Sequence, residues 1–476
     1  MEHLEWIKQS VASHAACISM VNDAIWDYSE TGFHVKKSAD LLQRVLEEHG
    51  FSVERGVAGI PDAFVASFGS GKPIIGILAE YDALPGLSQE KGRPTFAPRQ
   101  SGAPGHGCGH CILAAGSLST ALTLKEYLEQ SRRPGTIRLY GCPAEENGWA
   151  KAFMARDGYF NDLDAALTWH PQSHNFVVEK SSLAVISIRF RFEGISAHAA
   201  GNPEKGRSAL DACELMNVGV NYLREHIIPE ARVHYAYLDA GGTAPNVVPS
   251  KACLHYFVRA PKVTQALEIS ERVKNVARGA ALMTDTKLTI EVLAGMSNLV
   301  MNDTLNRLLY EAFQACGTPV YDQADRDLAA QFYENLPPQQ QQAAQSEWVA
   351  AGYGDPASLA ASPLFEKLIE YVTPAVITVD PGSTDVGDVS YVTPTAQINV
   401  TAACAGTSLH SWNMTGQAAT PLAHKAALKA GEVLSYAAIR LFESPELLAQ
   451  AQQEHQKLTG GVYPCPISDG VTPPLD

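Results

Sequence analysis

No apolar run in the chain approaches the ~18 residues that a membrane span needs, so an integral membrane protein is not expected. The opening stretch, MEHLEWIKQSVASHAACISM, is acidic and amphipathic and has no basic segment followed by an apolar one. It predicts no secretory leader. Cysteines are few, odd in number and scattered: nine in 476 residues. That excludes a disulfide framework and suits a reducing cytoplasm. No internal repeat is visible. Positive charge is in deficit, with 36 Lys plus Arg against 51 Asp plus Glu, a net charge of −15. Nucleic acid and anionic membrane are therefore not expected as partners. A small anionic substrate stays open, because a metal site can reverse the local sign.

What remains is a globular composition, 46% hydrophobic and 18% charged, long enough for two to four domains at ~150 residues each. Residues 2–49 read as two amphipathic helices broken around Gly32. Apolar runs at 63–69, 73–82, 135–143 and 164–171, with a strong helix from Cys111 to Gln130, predict an α/β domain with a mostly parallel sheet. From residue 182 the pattern changes to apolar–polar alternation, as in LAVISIRFRFEG, which suits half-exposed antiparallel strands. The expected organisation is a first catalytic part at 1–181, an inserted α+β lid or dimerisation domain at 182–293, and a second catalytic part at 294–476. Within the last, the Gln- and Ala-rich stretch 321–362 predicts a mobile, partly helical insertion.

Five features could carry chemistry. HGCGH presents Cys108 and His110, a thiolate and an imidazole suited to zinc-like divalent ions. The same stretch also reads as a dithiol redox motif, Cys108-Gly-His-Cys111, or as a buried cysteine in a turn. Glu145 and Glu146 follow the apolar strand TIRLYGCP, at the strand end where α/β proteins bind ligands. Taken alone, the pair better suits a solvated acidic turn. His170 ends DAALTWH, Asp82 closes IIGILAEYD, and His410 follows AQINVT. Each lies at a predicted strand end of one domain. Cys, His, Glu, His and His suffice for two metals if a thiolate or carboxylate bridges, and two such ions exceed the charge of Cys108 and Glu146. The pocket would be locally positive, attract a carboxylate and acidify a bound water.

HGCGH, CPAEE, TWHP, SAHAA, PNVVP and GTSLH follow one another here in the order found in M20-type metallopeptidases. The chain resembles the amidohydrolase branch of that family over nearly its whole length. STDVGDVS, the strand ending VRAP and the tail QQEHQKLTGGVYPCPI narrow the likeness toward hydrolases of p-aminobenzoyl-glutamate. The resemblance implies a di-metal peptidase-type fold with two divalent ions, manganese or zinc. It implies Cys108 as bridge, His110 and His170 at one ion, Glu146 and His410 at the other, and Glu145 as general base. Asp82 would orient a ligand histidine; Glu80 stands where the wider family has a histidine ligand. His198 of GISAHAAGNP would reach a partner subunit's site and stabilise an oxyanion, while Asn246 and Arg259 would bind the substrate carboxylate. The implied reaction is hydrolysis of an N-acyl amino acid, p-aminobenzoyl-glutamate or another aryl-acyl or indole-acetyl conjugate. The implied assembly is a homodimer through the lid domain or a complex with a related second subunit. A weakly active or regulatory subunit is the alternative of a different class.

Overall fold

The computed structural model describes residues 3–475. Eleven strands form two sheets: β1 (Ser52–Arg55), β2 (Phe64–Ser70), β3 (Ile74–Ala79), β4 (Gly135–Gly141), β5 (Ala165–Gln172), β6 (Phe176–Val177), β7 (Ala184–Glu193), β8 (Arg232–Asp239), β9 (Lys251–Ala260), β10 (Lys287–Met296) and β11 (Thr395–Thr401). The larger sheet has the order β1-β2-β4-β3-β5-β11-β6. Its central strands β4, β3, β5 and β11 are mutually parallel, while β1, β2 and β6 pair antiparallel at the two sides. Four parallel strands bring four carboxyl ends to one edge, which is where α/β sheets build sites.

The parallel strands are nearly continuous Ile, Leu, Val and Ala because helices cover both faces. Helix His110–Ser131 packs against helices Leu4–Tyr28 and Pro421–Glu443 on one face. Trp169 of β5 is fully buried, donates from Nε1 to the Leu113 carbonyl at 3.0 Å, and lies over Gly116. A Cβ at Gly116 would come within 2.5 Å of that indole, so glycine sets how closely the helix that begins at His110 approaches the strand that carries His170.

The smaller sheet, order β10-β7-β9-β8, is antiparallel throughout. One face packs on helices Ala209–Leu223 and Val263–Thr284 around Phe190, Phe192, Leu254 and Tyr256. Residues 321–362 hold helices Gln323–Glu334 and Pro338–Ala350 and a short turn Pro356–Ala361, with Phe332, Trp348 and Leu359 packed on Phe365 and Leu422. The edge strands β1 and β6 lie outside the sequence expectation. At four and two residues they are too short to show a period. Among the described residues no helix is long and apolar enough to cross a membrane.

Candidate active site

The site grows from the carboxyl ends of β3, β4, β5 and β11. After β3 the chain runs Glu80-Tyr81-Asp82, anchored by Tyr81, whose hydroxyl donates to the Asp62 carbonyl at 2.6 Å. The HGCGH loop then turns through Gly109 at φ +78 into the helix that starts at His110. A Cβ at Gly109 would lie 2.7 Å from Met414 and 2.8 Å from Pro171, so only glycine fits there. His106 faces away from the site, its Nε2 3.0 Å from the Ile25 carbonyl. The His410 backbone amide donates to the Gly107 carbonyl at 2.8 Å, which ties the loop bearing Cys108 to the loop bearing His410. Ala144, Trp149 and His410 are three of the seven non-glycine residues at positive φ among the described residues. Backbone held in this sparsely populated region tends to gather where a site over-determines it.

These constraints bring eight side chains together. Cys108 Sγ is 3.4 Å from His170 Nε2, and donor atoms of Cys108, His110 and His170 lie within 4.8 Å of one another. Cys108, Glu146 and His410 form a second such group, with His410 Nε2 3.3 Å from Glu146 Oε2. The two groups share the cysteine sulfur. Glu80, His110 and Glu145 form a third. Asp82 serves both halves: Oδ1 is 3.0 Å from His110 Nδ1, and Oδ2 accepts the Glu146 backbone N–H at 3.1 Å. That contact fixes the His110 ring with Nε2 toward the cluster.

Two atoms here are buried without a hydrogen-bond partner, His110 Nε2 and Glu146 Oε1. Glu80 Oε2 lies 3.3 Å from His110 Nε2 but lacks the alignment of a hydrogen bond. Buried polar atoms left open in this way are costly. Their convergence with a thiol, two further imidazoles and a second carboxylate is a donor set that fits divalent cations. The electrostatics agree. Burial, with Glu80 and Glu146 alongside, pushes the Glu145 carboxyl well above its usual range. Burial also raises Glu146. Burial and the charge of His110 push His170 down to about 4, which leaves the neutral imidazole that a ligand needs. Crowding and burial thus disfavour the anionic forms of Glu145 and Glu146.

The balance that exists comes from residues that the sequence reading missed. Lys151, in helix Ala150–Arg156, is fully buried; its Nζ lies 2.9 Å from Glu80 Oε1 and 2.5 Å from Asp385 Oδ1. Burial opposes ionisation of Glu80, yet Lys151, His110 and His170 together hold it below the usual range. Asp385 also accepts the Lys151 backbone N–H at 2.9 Å. A lysine within GWAKAFM was legible as an oddity only by its apolar neighbours.

The cluster floors a cavity of about 460 Å³ walled by Trp149, Phe257, Met296, Gln397 and Asn399, with Arg259 at its side. Arg259 Nη1 donates to Ser383 Oγ at 2.8 Å and its guanidinium stacks on Phe257 at 5.6 Å. His198 and Asn246 do not line this cavity. They sit together on an exposed turn, where Ala199 N donates to the Asn246 carbonyl at 3.0 Å. The dithiol reading fails on geometry and charge. Cys111 is buried with Sγ 3.6 Å from the Ala418 carbonyl, and burial raises both the Cys108 and Cys111 thiols, the opposite of an activated thiolate.

Residues 76–420 match the model of peptidase family M20/M25/M40. The chain belongs to this family. It is 43% identical over 456 residues, 95% of each chain, to a subunit of p-aminobenzoyl-glutamate hydrolase from Escherichia coli K12. Among solved structures it resembles the aminobenzoyl-glutamate utilization protein from Klebsiella pneumoniae, with a TM-score of 0.59 at 17% identity over 90% of this chain and 98% of that one. It also resembles a dinuclear metal-binding M20 peptidase from Bacillus subtilis, with a TM-score of 0.53 at 17% identity over 89% and 99%. As an M20 amidohydrolase, the chain is an enzyme of metal-dependent amide hydrolysis, and the cluster at the ends of β3, β4, β5 and β11 is where this chain has the donors for divalent ions.

Proposed function

We propose that the chain hydrolyses the amide bond of p-aminobenzoyl-glutamate, releasing p-aminobenzoate and glutamate. The observation that carries this reading is the pair of donor groups sharing Cys108, with Glu145 4.0 Å from His110 beside them, in a cavity that Arg259 also lines. The 43% identity to a hydrolase of that name supports the substrate. Cys108, His110 and His170 would hold one divalent ion, and Cys108, Glu146 and His410 the other, manganese or zinc in each case. Such ions supply Lewis acidity to the amide carbonyl and acidify water.

The protein's own groups do the rest. Glu145 takes the proton of the attacking water and returns it to the leaving nitrogen. Asp82 holds His110 and the Glu146 backbone in place. Arg259 grips the free carboxylate of the amino-acid half with its planar fork, positioned by Ser383 and Phe257. His198 Nδ1 accepts the Ala200 and Gly201 backbone N–H groups at 3.2 and 3.0 Å, so the neutral ring carries its proton on Nε2. An exposed N–H donor outside its own cavity suits service in trans. His198 of the partner subunit would stabilise the oxyanion, with Asn246 beside it, in a dimer formed through residues 182–293 acting as the lid. The nine free cysteines support a cytoplasmic setting.

The test is a metal-replete assay of the purified chain alone on p-aminobenzoyl-glutamate and indole-acetyl-aspartate, with Glu145→Gln alongside. Turnover of the first substrate, lost at least ~10²-fold in the variant while both metal equivalents stay bound, is expected. Preference for indole-acetyl-aspartate would reassign the acyl group. The similar Escherichia coli protein is by name one subunit of its hydrolase, which favours one further assembly, a complex with a related chain. Activity that appears only on adding that chain would establish it and remove the homodimer.

A further inference from the structure

The antiparallel sheet has a second face, and it is basic. Residues alternating with the packed Ile186, Ile188, Leu254 and Tyr256 point the other way, and the register shows which share that face. Arg189 lies opposite His255 and Glu291, Ser187 opposite Phe257, and Arg259 opposite Arg232. From the cavity out to the Arg191 row the face carries four arginines, Arg189, Arg191, Arg232 and Arg259, and two carboxylates, Glu291 and Asp239. Glu291 lies 3.2 Å from Arg191 and 3.5 Å from Arg189. Asp239 sits on the edge strand of the Arg191 row, opposite Cys253, and at the outer end Glu193 is already matched by Lys251 and Lys287 across the strands. A chain of net charge −15 has thus collected arginines on one side of one sheet.

That face is continuous with the candidate active site. Phe257 and Arg259 wall the cavity. Outward from it, the Phe257 ring is 5.8 Å from Trp149 and 5.0 Å from His255, and His255 neighbours Arg189. Two of the arginines have binding capacity to spare. Arg259 is held by a hydroxyl and a ring, and Arg189 Nε is buried with no hydrogen-bond partner. Four residue steps along β9 separate Arg259 from His255, the neighbour of Arg189, a run of about 14 Å. An extended α-linked chain gains at most ~3.6 Å per residue, and a side-chain-linked one more because each residue adds two further chain atoms, so a tail of a few residues covers the path.

We propose that this arginine face is an extended subsite for an acidic tail on the amino-acid half of the substrate. The tail would be a short oligoglutamate joined through the side-chain carboxyl, which leaves the α-carboxylate for Arg259. The inference rests on the amidohydrolase reading above and deepens it. Each tail carboxylate can take both oxygens to one guanidinium, and the half-exposed setting makes the attraction salt-dependent.

The experiment compares p-aminobenzoyl-glutamate with the same compound extended by three side-chain-linked glutamates. It uses the wild-type chain, Arg189→Ala and Arg191→Ala. KM is measured in turnover, and Kd by titration of Glu145→Gln with and without each arginine change. The expected result is a KM and a Kd about tenfold lower for the extended compound, a gain lost at 0.5 M salt and in either arginine variant. Values for the short compound stay unchanged in those variants. Equal affinity for the two compounds, or a gain that survives both substitutions, overturns the subsite. If neither compound is cleaved, the hydrolytic reading fails, and the Kd comparison still decides this one.

Discussion

Replacing Lys151 by methionine should be the most damaging conservative change outside the donor cluster. The ammonium sits 2.9 Å from Glu80 and 2.5 Å from Asp385, and the three side chains are 0–3% exposed. Methionine keeps the stem's volume and removes only the charge. Two nearly fully buried carboxylates then remain, with His110 as the remaining nearby cation for Glu80. Removing one partner of a buried ion pair costs ~3–5 kcal/mol, a large part of a typical ~5–15 kcal/mol of folding stability. The sign of the pH dependence follows. Without the ammonium, Glu80 and Asp385 take folded-state pKa values above their unfolded ones. Asp385 is already lifted to about 6 by burial despite Lys151. The folded variant therefore binds more protons than its unfolded chain, so its deficit is small near pH 5 and grows as pH rises through the raised values. Denaturant unfolding in chelator at pH 5 and pH 8 measures this with the contribution of bound ions held constant. A loss under ~1 kcal/mol at pH 8, or a deficit that shrinks as pH rises, would refute the reasoning. Adding Asp385→Asn to the variant should recover part of the loss, because it removes one of the two stranded charges.

Two further outcomes are expected beside the tests of the base and of the arginine face. Cys108→Ala should release both metal equivalents at once, because its sulfur belongs to both donor groups. Metal analysis after dialysis that finds one equivalent retained would assign the bridge to another ligand. Asp388 is buried, and burial lifts it to about 7 although Ser297 and Tyr463 donate to it. Its folded pKa exceeds its unfolded one, so its contribution to stability is full below about pH 4 and is lost as pH rises toward 7, by up to about 1.4 kcal/mol per pH unit. Asp388→Asn should flatten the stability profile between those values, as read from denaturation midpoints; an unchanged slope would remove Asp388 as its source.

Parts of this molecule were readable from composition and period alone. The runs IIGILA, TIRLYG, AALTWH and AQINV are apolar because both faces of the parallel sheet are covered, and each is followed by a residue able to ligate or orient a metal. The alternation in AVISIRFRFE likewise separates a packed face from an arginine-bearing one. The short β1 and β6 escaped for want of length. Lys151 and Asp385 escaped for a different reason. A charged residue in a helix or loop ordinarily faces water, and the apolar neighbours of Lys151 in GWAKAFM were the one local mark that it does not.

The three-way contact of Glu80, Lys151 and Asp385 also accounts for a carboxylate beside His110 at position 80. A carboxylate there adds negative charge to a cluster already holding Asp82, Glu145 and Glu146. It persists because Lys151 neutralises it from behind and Asp385 fixes the ammonium from the other side. The same stretch of chain carries Ser383, the hydrogen-bond partner of Arg259. One buried lysine thereby anchors both the carboxylate beside His110 and the loop that positions the guanidinium at the cavity wall. A lesion at Lys151 should consequently raise KM for the carboxylate substrate as well as lower kcat. Loss confined to kcat would show that the loop holds Arg259 without it.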